Sequence, residues 1–148
     1  MTVLDAYAVI AYLRAELAAA EVRTLLKGAG AALTTVGVTE VLDHLIRIAG
    51  ADEEDAALDL AQLGLLDAIP VSAAIGAGAG RLRARSYHRT RCPVSMADCV
   101  AAEAARSQSE PLATSDPYLL TVCHLQRIDY AVLPGSDGSI WTPAPGTP

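Results

Sequence analysis

The chain has 148 residues, 52% of them apolar, and a formal net charge of −6. That length suits one domain able to bury roughly 68–70% of its unfolded surface, with no need of covalent staples. The acidic balance excludes a protein that coats nucleic acid non-specifically.

Thr2–Leu4 reads as a short buried strand. Helical spacing of apolar residues then runs to about Leu26, with a break near Glu16, and Gly28 and Gly30 mark a C-cap and turn. Ala31–Val36 (AALTTV) reads as a second strand and Thr39–Ala49 as a helix ended by Gly50. DEEDAALDLAQLGLL opens on an acidic first turn that suits the helix dipole, with Leu58, Leu63 and Leu65 as its apolar side. Asp67–Val71 is predicted as a third, short strand, confined to an edge by Pro70. Ser72 to about Tyr87 reads as a helix weakened by Gly76, Gly78 and Gly80. Ser95–Arg106 is predicted helical, Pro111–Thr114 a strand, Pro117–Leu125 helical and Ile128–Leu133 a final strand. The Pro- and Gly-rich tail, residues 134–148, is expected to be loosely ordered beyond Trp141. Strands alternating with helices predict one α/β domain over residues 1–133, its mostly parallel sheet covered by helices on both faces.

No apolar run reaches the ~18 residues of a membrane helix, and Asp5 interrupts any signal-peptide layout at once. Cys92, Cys99 and Cys123 are odd in number and form no C-x-x-C pair. They read as reduced thiols of a cytoplasmic protein, neither a zinc site nor a disulfide framework. Five of the eleven basic residues fall within RLRARSYHRTR: Arg81, Arg83, Arg85, Arg89 and Arg91. This cluster is either a solvated helix end or a surface that holds phosphates.

Four acids stand at places where chemistry is made. Asp5 follows the first strand, Glu40 lies early in the helix after the second, Asp98 opens the helix beginning near Ser95, and Asp116 follows PLAT. Each has a structural explanation. Asp5 fits an N-cap; Ser95-x-x-Asp98 matches a capping box; Asp116-Pro117 is an N-cap followed by Pro at the first helical position. Glu40 falls opposite the stripe Val38, Val41, Leu42, Leu45, where a solvated face is the default. Jointly they say more, because sites in open α/β sheets form beyond the carboxyl ends of the strands. Carboxylates gathered there repel one another unless a divalent cation intervenes, and hard oxygen ligands select Mg²⁺ or Mn²⁺.

VLDAYAVIAYLRAE, LTTVGVTEVLDHLIR, VSMADCVAAEAA and LATSDPYLL occur in this order between residue 3 and about residue 133. In these segments the chain resembles PIN-domain ribonucleases, in particular the VapC-like toxins of bacterial type II toxin–antitoxin pairs. The resemblance implies a three-layer α/β/α PIN-like nuclease domain and a metal-dependent endoribonuclease using Mg²⁺, with Mn²⁺ able to substitute. It carries the family's acids onto Asp5, Glu40, Asp98 and Asp116. Asp5 and Asp98 would be direct metal ligands, with Asp116 and Glu40 acting partly through water. Thr114 matches a threonine that supports the site. Arg81, Arg83 and Arg85 are the candidates for holding the RNA backbone. The implied partners are an RNA substrate, a small cognate antitoxin and a second copy of the chain, with no membrane.

One position departs from the pattern. Tyr7 stands where the family usually has Ser or Thr, two residues after the first Asp. It favours the alternative of a catalytically impaired PIN-like module that binds RNA or a protein without cutting. A phosphatase or receiver site built on Asp5 is rejected. Its phosphoryl group would need a lysine, and the only one, Lys27, ends a helix at the opposite edge of the predicted sheet.

Overall fold

A computed structural model describes residues 1–145; the last three residues of the expected loose tail lie outside the described residues. The short apolar runs pair as one parallel sheet. Strands β1 (Thr2–Leu4), β2 (Ala31–Ala32), β3 (Leu112–Thr114) and β4 (Tyr130–Val132) lie in the order β2-β1-β3-β4. Val3 sits opposite Ala32 on one side and Leu112 on the other, and Leu112 in turn faces Tyr130.

Side chains alternate across a strand, and here the alternation divides the core into two halves. Val3 and Leu112 pack with Ile75, Leu82, Cys99, Ala102, Leu119 and Val122. Leu4 and Ala113 pack with Val9, Val22, Val41, Leu45 and Leu60. The first half belongs to helices α5 (Ala73–Ser86), α6 (Met96–Gln108) and α7 (Pro117–Gln126). The second belongs to α1 (Ala6–Leu13), α2 (Ala19–Lys27), α3 (Thr35–Asp43) and α4 (Glu53–Gln62). The result is the expected three-layer α/β/α arrangement. No helix among the described residues is long and apolar enough to cross a membrane.

Several elements stand where the spacing puts them. The break near Glu16 separates α1 from α2, with Ala15 in the left-handed region at φ 53°. α5 forms despite its glycines: the Ser72 hydroxyl accepts from the Ile75 N–H at 3.2 Å. One glycine is required there. A Cβ on Gly78 would stand 2.5 Å from Glu103 Cγ on α6, so this residue sets how closely the two helices approach.

The second strand and the two segments after it differ from expectation. β2 stops at Ala32, and α3 begins at Thr35 rather than Thr39, because the Thr34 hydroxyl accepts from the Gly37 N–H at 2.9 Å and caps the helix early. The predicted strand Asp67–Val71 shrinks to one parallel bridge, Thr34 with Ile69, at the sheet edge. Its neighbour turns into α3 immediately and leaves nothing further to pair. The predicted helix through Ala49 is α-helical only to Asp43 and continues as a π-helical turn, His44–Ile48. In the tail, Trp141 packs edge-on against Tyr130 and His124, with centroids 5.6 and 6.1 Å apart.

Candidate acidic site

Chain direction creates a crevice before any side chain is considered. From β1 the chain crosses to β2 on one side, and β3 and β4 extend the sheet on the other. The carboxyl ends of β1 and β3 therefore flank a topological switch point, the usual location of a site in an open α/β sheet. Asp5 leaves β1 there, and Asp116 follows β3 by two residues. α3 and α6 deliver Glu40 and Asp98. All four acids line one cavity of about 390 Å³, together with Ala6, Tyr7, Ile10, Asp43, His44 and Ser115.

Each acid is held differently. Asp5 occupies the N-cap position of α1, yet its side chain makes no capping bond. Its Oδ2 instead accepts from the Thr114 hydroxyl at 2.8 Å, across 109 residues of sequence. Thr114 is fully buried, and its Oγ1 also accepts from the Asp116 N–H at 3.1 Å, so one hydroxyl ties both strand ends together. Asp98 does form the capping box with Ser95: its Oδ2 accepts from the Ser95 N–H at 2.6 Å, and its own N–H donates to Ser95 Oγ. Asp116 caps α7, with Oδ1 accepting from the Tyr118 and Leu119 N–H groups. The capping bonds of Asp98 and Asp116 thus engage one oxygen each. Glu40, in the second turn of α3 rather than the first, is half-buried and faces the cavity, so it is not part of a solvated face.

The electrostatics show a site under repulsion. Burial, then the Asp98 charge, push Asp5 up to about 6, against the pull of the Thr114 hydroxyl. Burial and the charges of Asp5 and Asp98 push Glu40 up to about 7. Asp116 is raised by burial, with its two capping N–H groups opposing. No Lys or Arg among the described residues lines the cavity. The donors are carboxylate oxygens, which suits a hard divalent cation. Among the described residues no three or more His, Cys, Asp or Glu side chains already close into a cage. Mg²⁺ does not ask for one, since it binds through one or two carboxylates and keeps several waters.

The arginines stand apart. Arg81, Arg83 and Arg85 lie on α5 and none lines the acidic cavity. Arg83 is half-buried and committed locally: its Nε donates to the Val94 carbonyl at 3.1 Å, and its guanidinium lies 4.1 Å from the Tyr87 ring centroid. Arg81 and Arg85 are exposed. Sequence reasoning missed His44, a cavity-wall residue whose Nε2 is buried with no hydrogen-bond partner. The signal was available in its spacing, four residues after Glu40 and so on the same helical face.

The family model of the PIN domain matches residues 2–125. A search of curated proteins gives no match. Among solved structures, FitAcB from Neisseria gonorrhoeae is similar at 18% identity and TM-score 0.63, covering 88% of this chain and 96% of its own. VapBC2 from Rickettsia felis, bound to a DNA fragment from its promoter, is similar at 17% identity and TM-score 0.62, covering 88% and 97%. A toxin–antitoxin complex from Klebsiella pneumoniae is similar at 15% identity and TM-score 0.60, covering 78% and 87%. At these identities the likeness is one of fold.

Proposed function

This chain belongs to the PIN-domain family, and we propose that it is a metal-dependent endoribonuclease, the toxin of a type II toxin–antitoxin pair. The observation that carries this reading is the convergence of Asp5, Glu40, Asp98 and Asp116 on one cavity at the sheet's switch point, with no Lys or Arg among the described residues to offset them. Asp5, Asp98 and Asp116 would hold the cation, Mg²⁺ or in its place Mn²⁺. When bound, the cation stabilises charge developing on the phosphoryl oxygens and makes water a better nucleophile.

The chain's own groups do the rest. Thr114 fixes the Asp5 carboxylate through its 2.8 Å bond. The Ser95 and Leu119 N–H groups hold Asp98 and Asp116 in place. Glu40 takes the proton of the attacking water, a role suited to a carboxyl whose environment moves it toward neutral pH. Arg81 and Arg85, with Arg89 and Arg91 beyond them, offer phosphate contacts that position a strand without choosing its sequence; Arg83 orders that surface.

The neighbouring complexes support a small antitoxin as partner. Ile48, Leu58 and Leu66 are exposed on segments whose other apolar residues fill the core, which supports a homodimer. We place the protein in the cytoplasm. The test is cleavage of labelled RNA by purified protein in Mg²⁺, in Mn²⁺ and in EDTA. Wild type should cut only with metal, and Asp5→Asn and Asp98→Asn should lose cleavage while remaining folded, because an amide is a poorer ligand for a hard cation. Cleavage in EDTA, or an undiminished Asp98→Asn variant, overturns the assignment.

A further inference from the structure

Tyr7 is an unusual neighbour for an acidic site. Ala6 and Ala8 on either side of it are buried, yet Tyr7 is 60% exposed at the start of α1. Its hydroxyl makes no hydrogen bond among the described residues, so the polar tip does not explain its orientation. The ring meets His44 edge to face, with centroids 6.0 Å apart and planes at 66°. His44 opens the π-helical turn, a distortion frequent at functional sites, and its Nε2 is buried without a partner.

The ring also stands between two spaces. On one side is the acidic cavity. On the other is a second cavity of about 310 Å³, lined among others by Leu17, Pro117, Pro134, Glu16 and Asp137. Among the described residues only Tyr7 and Ser115 line both. The second cavity mixes apolar walls with three serines and two carboxylates, and no Lys or Arg among the described residues lines it, so it disfavours a phosphate. A neutral planar group with hydrogen-bonding edges suits such walls beside an exposed aromatic face.

We propose that Tyr7, braced by His44, is the stacking platform of a nucleobase subsite that takes an unstacked base of single-stranded RNA next to the phosphate held over the four acids. The subsite rests on the ribonuclease reading and deepens it by naming the residue that receives a base. A base hangs from the ribose adjoining its phosphate, so a flat ring beside the acids lies where that base must go. Stacking is indifferent to sequence because every base has a π-face. A duplex, whose bases are already stacked and paired, cannot offer one without unpairing.

Binding separates this proposal from the cleavage assignment. The probe is a fluorescent single-stranded oligoribonucleotide followed by anisotropy, with Ca²⁺ in place of Mg²⁺. Tyr7→Ser, which keeps a hydroxyl and removes the ring, should weaken binding about 5- to 150-fold, the range for loss of one stacked base. Tyr7→Phe and Tyr7→Trp keep the face and should bind within about twofold of wild type. Oligoribonucleotides each carrying one abasic site supply the second arm. At one position the wild type should lose affinity while Tyr7→Ser loses no more, because the two changes remove the same stacking interaction. With cleavage assayed in Mg²⁺, the Tyr7→Ser defect should fall on KM more than on kcat. Wild type that binds RNA with Tyr7→Ser equal to it overturns the subsite and leaves the ribonuclease reading standing. Wild type that binds no RNA overturns both. A duplex bound as tightly as the single strand also overturns the subsite.

Discussion

Replacing Asp5 with Asn removes one charge from the acidic cavity and keeps the shape of the side chain. Burial, and then the Asp98 carboxylate, raise the Asp5 pKa from 3.8 to about 6. A carboxyl whose pKa is higher folded than unfolded binds more protons in the native state between those values. The cation-free protein therefore loses stability as pH rises from 3.8 to about 6, and the loss is complete above that window. The gap between 3.8 and about 6 corresponds to about 3 kcal/mol. The Thr114 bond, which favours the carboxylate, is already contained in that gap. In EDTA at about pH 8, Asp5→Asn should then be more stable than wild type by about 3 kcal/mol, or about 6–12 °C in a chain of this size. Near pH 4 the gain should vanish. Excess Mn²⁺ should reverse the order: at about a thousand times Kd it adds about 4.1 kcal/mol to the wild type and much less to the variant. Thermal melts followed by circular dichroism, with EDTA or Mn²⁺ at both pH values, read all of this. A variant that melts lower than wild type by the same margin in EDTA and in Mn²⁺ refutes the reasoning and makes Asp5 a structural residue only.

Thr114→Val removes the donor to Asp5 Oδ2; it should weaken Mn²⁺ binding about 10–100-fold, measured by calorimetric titration, and lower stability more above pH 6 than below it. The glycines of α5 should separate by position. Gly76→Ala and Gly80→Ala meet nothing within 4 Å and should each stabilise by about 0.5–1 kcal/mol in denaturant melts, whereas Gly78→Ala meets Glu103 and should not. Arg81→Ala and Arg85→Ala should each flatten the salt dependence of RNA binding, by about 0.7 of a log unit of slope for each phosphate no longer neutralised. An unchanged slope makes that surface a solvated helix face.

The strands and most helices were legible because burial marks the sequence: short apolar runs buried on both faces at Val3-Leu4 and Leu112-Ala113, and helical spacing at Ile75, Ala79 and Leu82. AALTTV misleads because β-branched threonines favour strands while a threonine hydroxyl also caps helices. Thr34 resolves the conflict through a bond to Gly37 that composition does not reveal. The π-helical turn leaves no trace in propensity, whereas the place of His44 could be read from its spacing to Glu40. For Asp5, Glu40 and Asp116, position after a strand foretold a shared edge; Asp98 follows no strand, and the fold alone brings it there. Position could not tell a cap from a cavity-facing group, and the structure makes Asp98 and Asp116 both at once.

Thr114 and Asp5 carry a consequence in time. Asp5, at the end of β1, leaves the ribosome 109 residues ahead of Thr114, at the end of its partner β3. Until Leu112–Thr114 emerge, one edge of β1 has no neighbour and Asp5 has no hydroxyl to hold it. A pairing this distant in sequence must wait for loop closure over most of the chain. No nascent or prematurely terminated fragment lacking β3 can assemble the acidic cavity. The acidic cavity is thus the late product of synthesis: Asp5 and Glu40 wait for Thr114 and Asp116 to be made before the four acids can face one another.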